Sequence, residues 1–300
     1  MHSHDAHGER PRDFGRAFAI GVALNAAFVV VEATYGVLAD SIALIADASH
    51  NLGDVLGLAV AWGASILARR APTARFTYGL RSTSILAALF NAAFLLIAVG
   101  AIAVEAVRRI FEPAPVAGAT VIAVAAIGIA INTATALLFF AGRKGDLNIR
   151  AAFLHMATDA AVSAGVVVAG VIIVLTGLPW IDPAVSLTIA LVIMVGTWRL
   201  LRESFAMSLH GVPAGVDGEA VRAYLAGLPG VAQVHDLHIW PMSTTETALT
   251  AHLVMPDGHA GDDGLARITD GLRELFAIAH ATIQVERDGA SCRLAPDHVV

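Results

Sequence analysis

Apolar residues fall into six long runs, near residues 14–38, 41–68, 80–108, 116–141, 149–176 and 181–203. Each is long enough to supply the roughly 20 helical residues that cross about 30 Å of hydrocarbon. Polar, Gly or Pro residues break the runs: Ala39-Asp40, Arg69-Arg70-Ala71-Pro72, Pro113-Ala114-Pro115, Gly142-Arg143-Lys144-Gly145-Asp146 and Thr176-Gly177-Leu178-Pro179. From about residue 209 the texture changes. Val216–Leu228 has the spacing of a short amphipathic helix, and Val231–Trp240 and Thr247–Met255 alternate as strands around the polar turn Pro241–Thr245. Gly264–Ala279 reads as a second helix and Ala281–Glu286 as a last strand. The pattern predicts an α-helical membrane protein: a His-containing tail (1–13), six transmembrane helices (14–204) and a C-terminal α+β domain of order αββαβ (205–300), with helices on one face of a sheet. Dimerisation would help so small a domain to fold.

Composition agrees. The 300 residues are 57% hydrophobic and only 15% charged, where soluble domains average about 25% charged. The N-terminal segment has no apolar stretch before a cleavage site, so no signal peptide is expected, and no lipidation motif is expected either. The single cysteine, Cys292, excludes an intramolecular disulfide and any Cys-x-x-Cys zinc site. Positive charge sets an orientation. Twelve Arg or Lys residues (in the tail, the second and fourth loops and the end of the sixth run) fall on one side, and only Arg108 and Arg109 on the other. Both termini are therefore expected in the cytoplasm. Residues 205–300 hold 5 Lys+Arg against 12 Asp+Glu and 7 of the 12 histidines, a surface that gathers cations and does not attract nucleic acid.

Ionisable groups inside a membrane helix cost about 2.5–3.5 kcal/mol for an Asp on insertion scales, so each needs a reason. The second run holds Asp47, His50 and Asp54, and the fifth holds His155 and Asp159. In both, a His precedes an Asp by four positions, which puts the pair on one helix face about 6 Å apart along the axis. Two such faces opposed offer two imidazoles and two carboxylates, a full tetrahedral set for Zn²⁺ at roughly 2.0–2.2 Å. Two carboxylates also neutralise one divalent ion. The rival readings are polar contacts that glue helices together, with Ser49 or Thr158 as partners, and a proton relay without metal. Gly53, Gly57, Ala160, Ala164 and Gly165 are small enough to let helices approach closely around the motifs. Asn25, Glu32, Asn91 and Asn132 are further polar groups within the runs, suited to interhelical hydrogen bonds.

The stretches DSIALIADASHNLGD (Asp40–Asp54), NIRAAFLHMATD (Asn148–Asp159), RFTYG (Arg75–Gly79) and HDLHIW (His235–Trp240) resemble the cation diffusion facilitator family, specifically its zinc-type branch. The resemblance runs from about residue 14 to 287. It implies six spans in a bacterial inner membrane and a cytoplasmic α+β domain of ferredoxin-like, metallochaperone type. It also implies a homodimer among membrane lipids and exchange of metal for protons. Carried over, the transport site is His50, Asp54, His155 and Asp159, and Asp47 matches a position near that site. In the cytoplasmic domain the matching metal positions are His235, His252 and Glu286, with Gln284 where some members have a further His. The Arg69–Phe76 loop lacks the acidic and His residues of an extra site, and Gly142–Asn148 has no His. His2, His4 and His7 are candidates for metal gathering instead. Strand alternation predicts His235 and His238 on opposite faces, so not on one ion.

The resulting expectation is a secondary antiporter, not an enzyme and without a cofactor. Zinc is its substrate and a potential regulatory ligand; cobalt, cadmium, nickel, manganese and iron are alternatives. A metal-sensing channel or an intramembrane metalloenzyme belongs to a different class. The chain has no His-Glu-x-x-His helix for such an enzyme, and a four-ligand site favours carriage over catalysis.

Overall fold

The computed structural model describes residues 15–68, 70–140, 147–258, 261–288 and 292. The tail histidines, His259 and most of the Gly142–Asn148 loop lie outside them. Six long helices come first: α1 (Gly15–Leu38), α2 (Ile42–Ala68), α3 (Thr83–Phe111), α4 (Gly118–Phe140), α5 (Leu147–Thr176) and α6 (Ile181–Ser208). At 1.5 Å per residue each is roughly 35–45 Å long, enough to span a bilayer. Ile20–Leu38 of α1, α3, α4, Phe153–Thr176 of α5, and α6 are apolar enough to cross one. Helix α2 is as long, at 27 residues, and differs in carrying Asp47, His50 and Asp54. The helices are apolar on every side. Ile97, Val104, Val168 and Leu175 face outward while Phe28, Leu44, Val99, Val121 and Val166 fill the interior. A helix hydrophobic all round suits lipid, not water.

Contacts group the chain into two compact units, residues 1–56 with 94–197, and residues 57–93 with 198–300. In the first, glycines allow close packing. A Cβ on Gly128 of α4 would lie 2.7 Å from the Phe28 ring of α1, and one on Gly170 of α5 would lie 2.8 Å from Ile122 of α4. Gly53 of α2 gives way to Leu95 of α3. Gly165 has open space around it, so it does not serve the close approach expected of it. The start of α2 is held from another helix. Asp182, in the first turn of α6, accepts from the Ile42 amide at 2.7 Å, the Ala43 amide at 3.4 Å and the Ser41 hydroxyl. A remote carboxylate thus satisfies amides that a helix start leaves unpaired. Next to it, Arg109 donates to the Asp40 carbonyl at 2.7 Å and pairs with its carboxylate at 2.6 Å.

In the second unit, α7 (Gly218–Ala226), β1 (Gln233–Pro241), β2 (Thr247–Val254), α8 (Gly261–Phe276) and β3 (Ile278–Glu286) follow the expected αββαβ order. Asp217 caps α7 by accepting from the Glu219 and Ala220 amides. Helix α8 starts three residues before the expected position, with Asp262 and Asp263 in its first turn, where a helix N-terminus favours anions. The sheet order is β1-β2-β3, antiparallel then parallel. Val221, Leu225, Leu249, Leu253, Ile268, Leu272 and Ile278 pack the helices on one face. The α2–α3 loop joins this unit. Arg81 pairs with Glu246 at 2.9 Å, the Ser82 hydroxyl donates to the Met242 carbonyl, and the Thr244 amide donates to the Ser84 hydroxyl.

Candidate metal site

Helices α2 and α5 run antiparallel, so their polar residues meet in rungs. Asp54 faces His155, with its Oδ2 3.4 Å from Nε2. One turn along, His50 Nε2 lies 3.5 Å from Asp159 Oδ1. Within each helix the pairs are only slightly farther apart: His50 Nδ1 to Asp54 at 3.7 Å and His155 Nε2 to Asp159 at 3.7 Å. Ligand atoms of His50, Asp54 and Asp159 all lie within 4.8 Å of one another. His155 joins them through both carboxylates, its ring edge-on to that of His50 at 6.3 Å between centroids. The edges of a tetrahedron with roughly 2.0–2.2 Å bonds are about 3.3–3.6 Å, so these groups need little movement to close on an ion. Among the described residues, His50 Nδ1, Asp54 Oδ2 and Asp159 Oδ1 are buried atoms without hydrogen-bond partners. Lone pairs left unmatched and facing a common point are costly unless something fills it.

The rival partners are elsewhere. The Ser49 and Thr158 hydroxyls donate to Ile45 and Leu154 carbonyls in their own helices. Asp47 forms a third rung instead, accepting from the Ser163 hydroxyl at 3.0 Å. Exposure falls along the ladder: His155 is 40% and Asp54 29% exposed, His50 21% and Asp159 1%, while Asp47 and Ser163 are fully buried. The site is most exposed at the Asp54–His155 rung and fully buried at Asp47.

The second unit brings its three expected residues together on the helix-free face of the sheet. Glu286 reaches His235 Nε2 at 3.3 Å and His252 Nδ1 at 3.0 Å. Cys292 joins them, its Sγ 3.5 Å from His252 Nδ1, and the four form one cluster of potential ligands. His235 is 1% exposed, and among the described residues neither ring nitrogen makes a hydrogen bond. Gln284 donates to Glu286 at 2.8 Å and so orients a carboxylate. Burial favours the neutral form of Glu286, yet Gln284, Cys292, His235 and His252 hold its carboxyl below the usual range.

The expected alternation of His235 and His238 is overturned. A bulge lies between them, with Asp236 at a φ of 47°. His235 pairs with His252 and His238 with Thr250, two residues apart on β2, so both histidines share a face. His238 nonetheless stays outside the cluster, hydrogen-bonded to Asp236 at 2.8 Å. The other Asp236 oxygen lies 3.3 Å from His252 Nε2. Neither Asp236 nor Asp182 stood out in the sequence. A bulge and a cap from a distant helix leave no local spacing to read.

Residues 18–207 match the model of the cation efflux transmembrane domain, and residues 213–288 that of the cation efflux protein, cytoplasmic domain. The chain belongs to the cation efflux family. These are the cation diffusion facilitators that its motifs resemble. Similar proteins include the metal cation efflux system protein CzcD of Cupriavidus metallidurans, 35% identical over 95% of this chain and 89% of the relative. The zinc transporter ZitB of Escherichia coli is 35% identical over 98% and 95%. The cadmium, cobalt and zinc/H(+)-K(+) antiporter of Bacillus subtilis is 31% identical over 87% and 85%. This protein is thus a multi-pass membrane transporter for metal cations, not an enzyme.

Proposed function

We propose that this protein moves zinc out of the cytoplasm in exchange for protons, through a site made of His50, Asp54, His155 and Asp159. The observation that carries the reading is the pair of facing rungs: ligand atoms of His50, Asp54 and Asp159 lie within 4.8 Å of one another, and His155 lies 3.4 and 3.7 Å from the two carboxylates. Two imidazoles favour zinc and its borderline neighbours cobalt, cadmium and nickel over manganese or iron, which an all-oxygen site would suit. The names of the Escherichia coli and Bacillus subtilis relatives support zinc as substrate and protons as counter-ion. His and carboxylate ligands must lose protons to bind metal, so the two cargoes compete for the same atoms. The transport domain is residues 14–204. Residues 205–300 form a cytoplasmic domain that dimerises and takes a regulatory zinc ion at His235, His252 and Glu286, with the Cys292 thiolate as fourth ligand. Both termini are cytoplasmic, and the membrane is a bacterial inner membrane.

Metal uptake into inverted vesicles tests this, with and without an imposed pH gradient, across a panel of metals. Zinc uptake driven by the gradient is expected. Uptake indifferent to it would leave a uniporter or channel, and preferred uptake of manganese would overturn the metal assignment.

A further inference from the structure

The closed end of the ladder carries a second acidic group. Glu32 of α1 and Asp47 of α2 are both 0% exposed. Asn51 donates to Glu32 Oε2 at 3.1 Å, and Ser163 donates to Asp47 Oδ2 at 3.0 Å. The remaining oxygens, Glu32 Oε1 and Asp47 Oδ1, accept from no donor among the described residues. Asp47 lies about one turn before Asn51 on the same face of α2, the face that meets Glu32. Among the described residues no Lys, Arg or His nitrogen is at ion-pairing distance from either. The charges facing the pair are Asp159 from α5, which adds repulsion, and His50 from α2, which acts on Asp47. At this level α4 presents Gly128 to Phe28 and Ser163, and no charge. Two wholly buried carboxylates side by side cannot both stay ionised without a cation between them.

We propose that Glu32 binds a further exchanged proton, beyond those that the metal ligands give up, shared with Asp47 at a place separate from the four metal ligands. This rests on the metal–proton exchange reading above. The side chain that hydrogen-bonds Glu32 is Asn51, which is not one of those four. The coupling is electrostatic. A divalent ion bound at the His50–Asp159 rung sits about one helical turn from the pair, roughly 6 Å along the axis. Its charge makes the doubly ionised pair favourable, so the Glu32 O–H bond breaks and the proton leaves to water through the open Asp54–His155 mouth. When the opposite end opens and the metal departs, the pair again carries two negative charges and takes one proton from the other side. Metal and proton then exclude each other, as exchange requires.

The test uses the full chain in lipid nanodiscs. Glu32→Gln keeps an oxygen to accept from Asn51 and gains an N–H toward Asp47, so it imitates the protonated form permanently. Calorimetry in buffers of different ionisation enthalpy counts protons released per zinc bound. E32Q is expected to release about one proton fewer than wild type, so that its zinc affinity varies about tenfold less per pH unit. Equal release by both, with wild type releasing protons, overturns this inference and spares the exchange reading. No release from wild type itself overturns both. Infrared spectra of wild type supply a readout that needs no variant: the carbonyl stretch of a protonated, buried carboxylic acid at neutral pH, lost on adding zinc. Absence of that band in the metal-free protein also overturns the proposal.

Discussion

Replacing Asp159 by Asn separates a metal site from a structural polar contact. Asp159 is 1% exposed and faces both His50 and His155 at 3.5 and 3.7 Å. The substitution keeps the volume and one oxygen and removes the charge. At an effective dielectric of about 20, a divalent ion and a carboxylate with charge centres about 4 Å apart attract by about 8 kcal/mol. Against this, the wild-type carboxylate has already been stripped of water, at several kcal/mol per ion. The net loss on substitution is then about 3–4 kcal/mol, or roughly 10²- to 10³-fold in zinc Kd. Asp54 is 29% exposed, so water can take its place and Asp54→Asn should lose less. Titration of zinc into the purified protein measures both, alongside melting curves without metal. The metal reading expects D159N to melt within a few degrees of wild type while binding zinc far more weakly. A D159N protein that binds zinc with unchanged Kd, or that melts much earlier with the affinity intact, would refute the reasoning and leave Asp159 as helix glue.

His50→Asp exchanges an imidazole for a hard oxygen ligand, so uptake across a metal panel should move toward manganese and cadmium relative to zinc. In an Asp159→Asn background, zinc binding at the second unit should persist and protect against melting, and His252→Ala should abolish it; retained binding would remove His252 from the ligand set. Asp182→Ala leaves the Ile42 and Ala43 amides at the α2 start without their acceptor, at about 1–3 kcal/mol each, so an early melting transition is expected and Asp182→Asn should recover part of it. Because the folded Glu286 carboxyl titrates below its ordinary value of 4.5, its contribution to stability is present above about that pH and is lost as pH falls through the folded value. Acid unfolding of metal-free protein should therefore show a shallower slope in Glu286→Gln, and an identical slope would count against the contacts to Gln284 and the two histidines.

The parts of this protein legible in sequence are those written as local repeats. The i, i+4 spacing of His50 with Asp54 and of His155 with Asp159 already implies one face on each helix, and the helices carry that spacing into space unchanged. Strand and helix order in the second unit follows from alternation and amphipathic spacing in the same way. What local spacing could not reveal depends on which elements meet. Nothing near Asp182 in sequence says that it caps α2, some 140 residues away. Alternation misplaced His238 because one bulge at Asp236 shifts every later residue of β1 to the other face. Cys292 stood out as the single cysteine, but nothing local in the sequence places it beside His252, 40 residues before it.

The ladder also explains why the site is built from two helices running in opposite directions. A His-x-x-x-Asp motif on one helix puts its imidazole nearer one end and its carboxylate nearer the other. Opposing a second copy on an antiparallel helix reverses that order, so each rung pairs an imidazole with a carboxylate: His155 with Asp54, then His50 with Asp159. Parallel copies would instead have set two carboxylates side by side on one rung, repelling each other, and two imidazoles on the next. The antiparallel arrangement spreads both charges and both nitrogens around one point, and an ion approaching from the open rung meets one ligand of each kind at every turn. The next rung breaks the pattern by placing Asp47 against the neutral Ser163. Asp47 therefore has no imidazole across from it, and on the proposal above a proton shared with Glu32 offsets its charge.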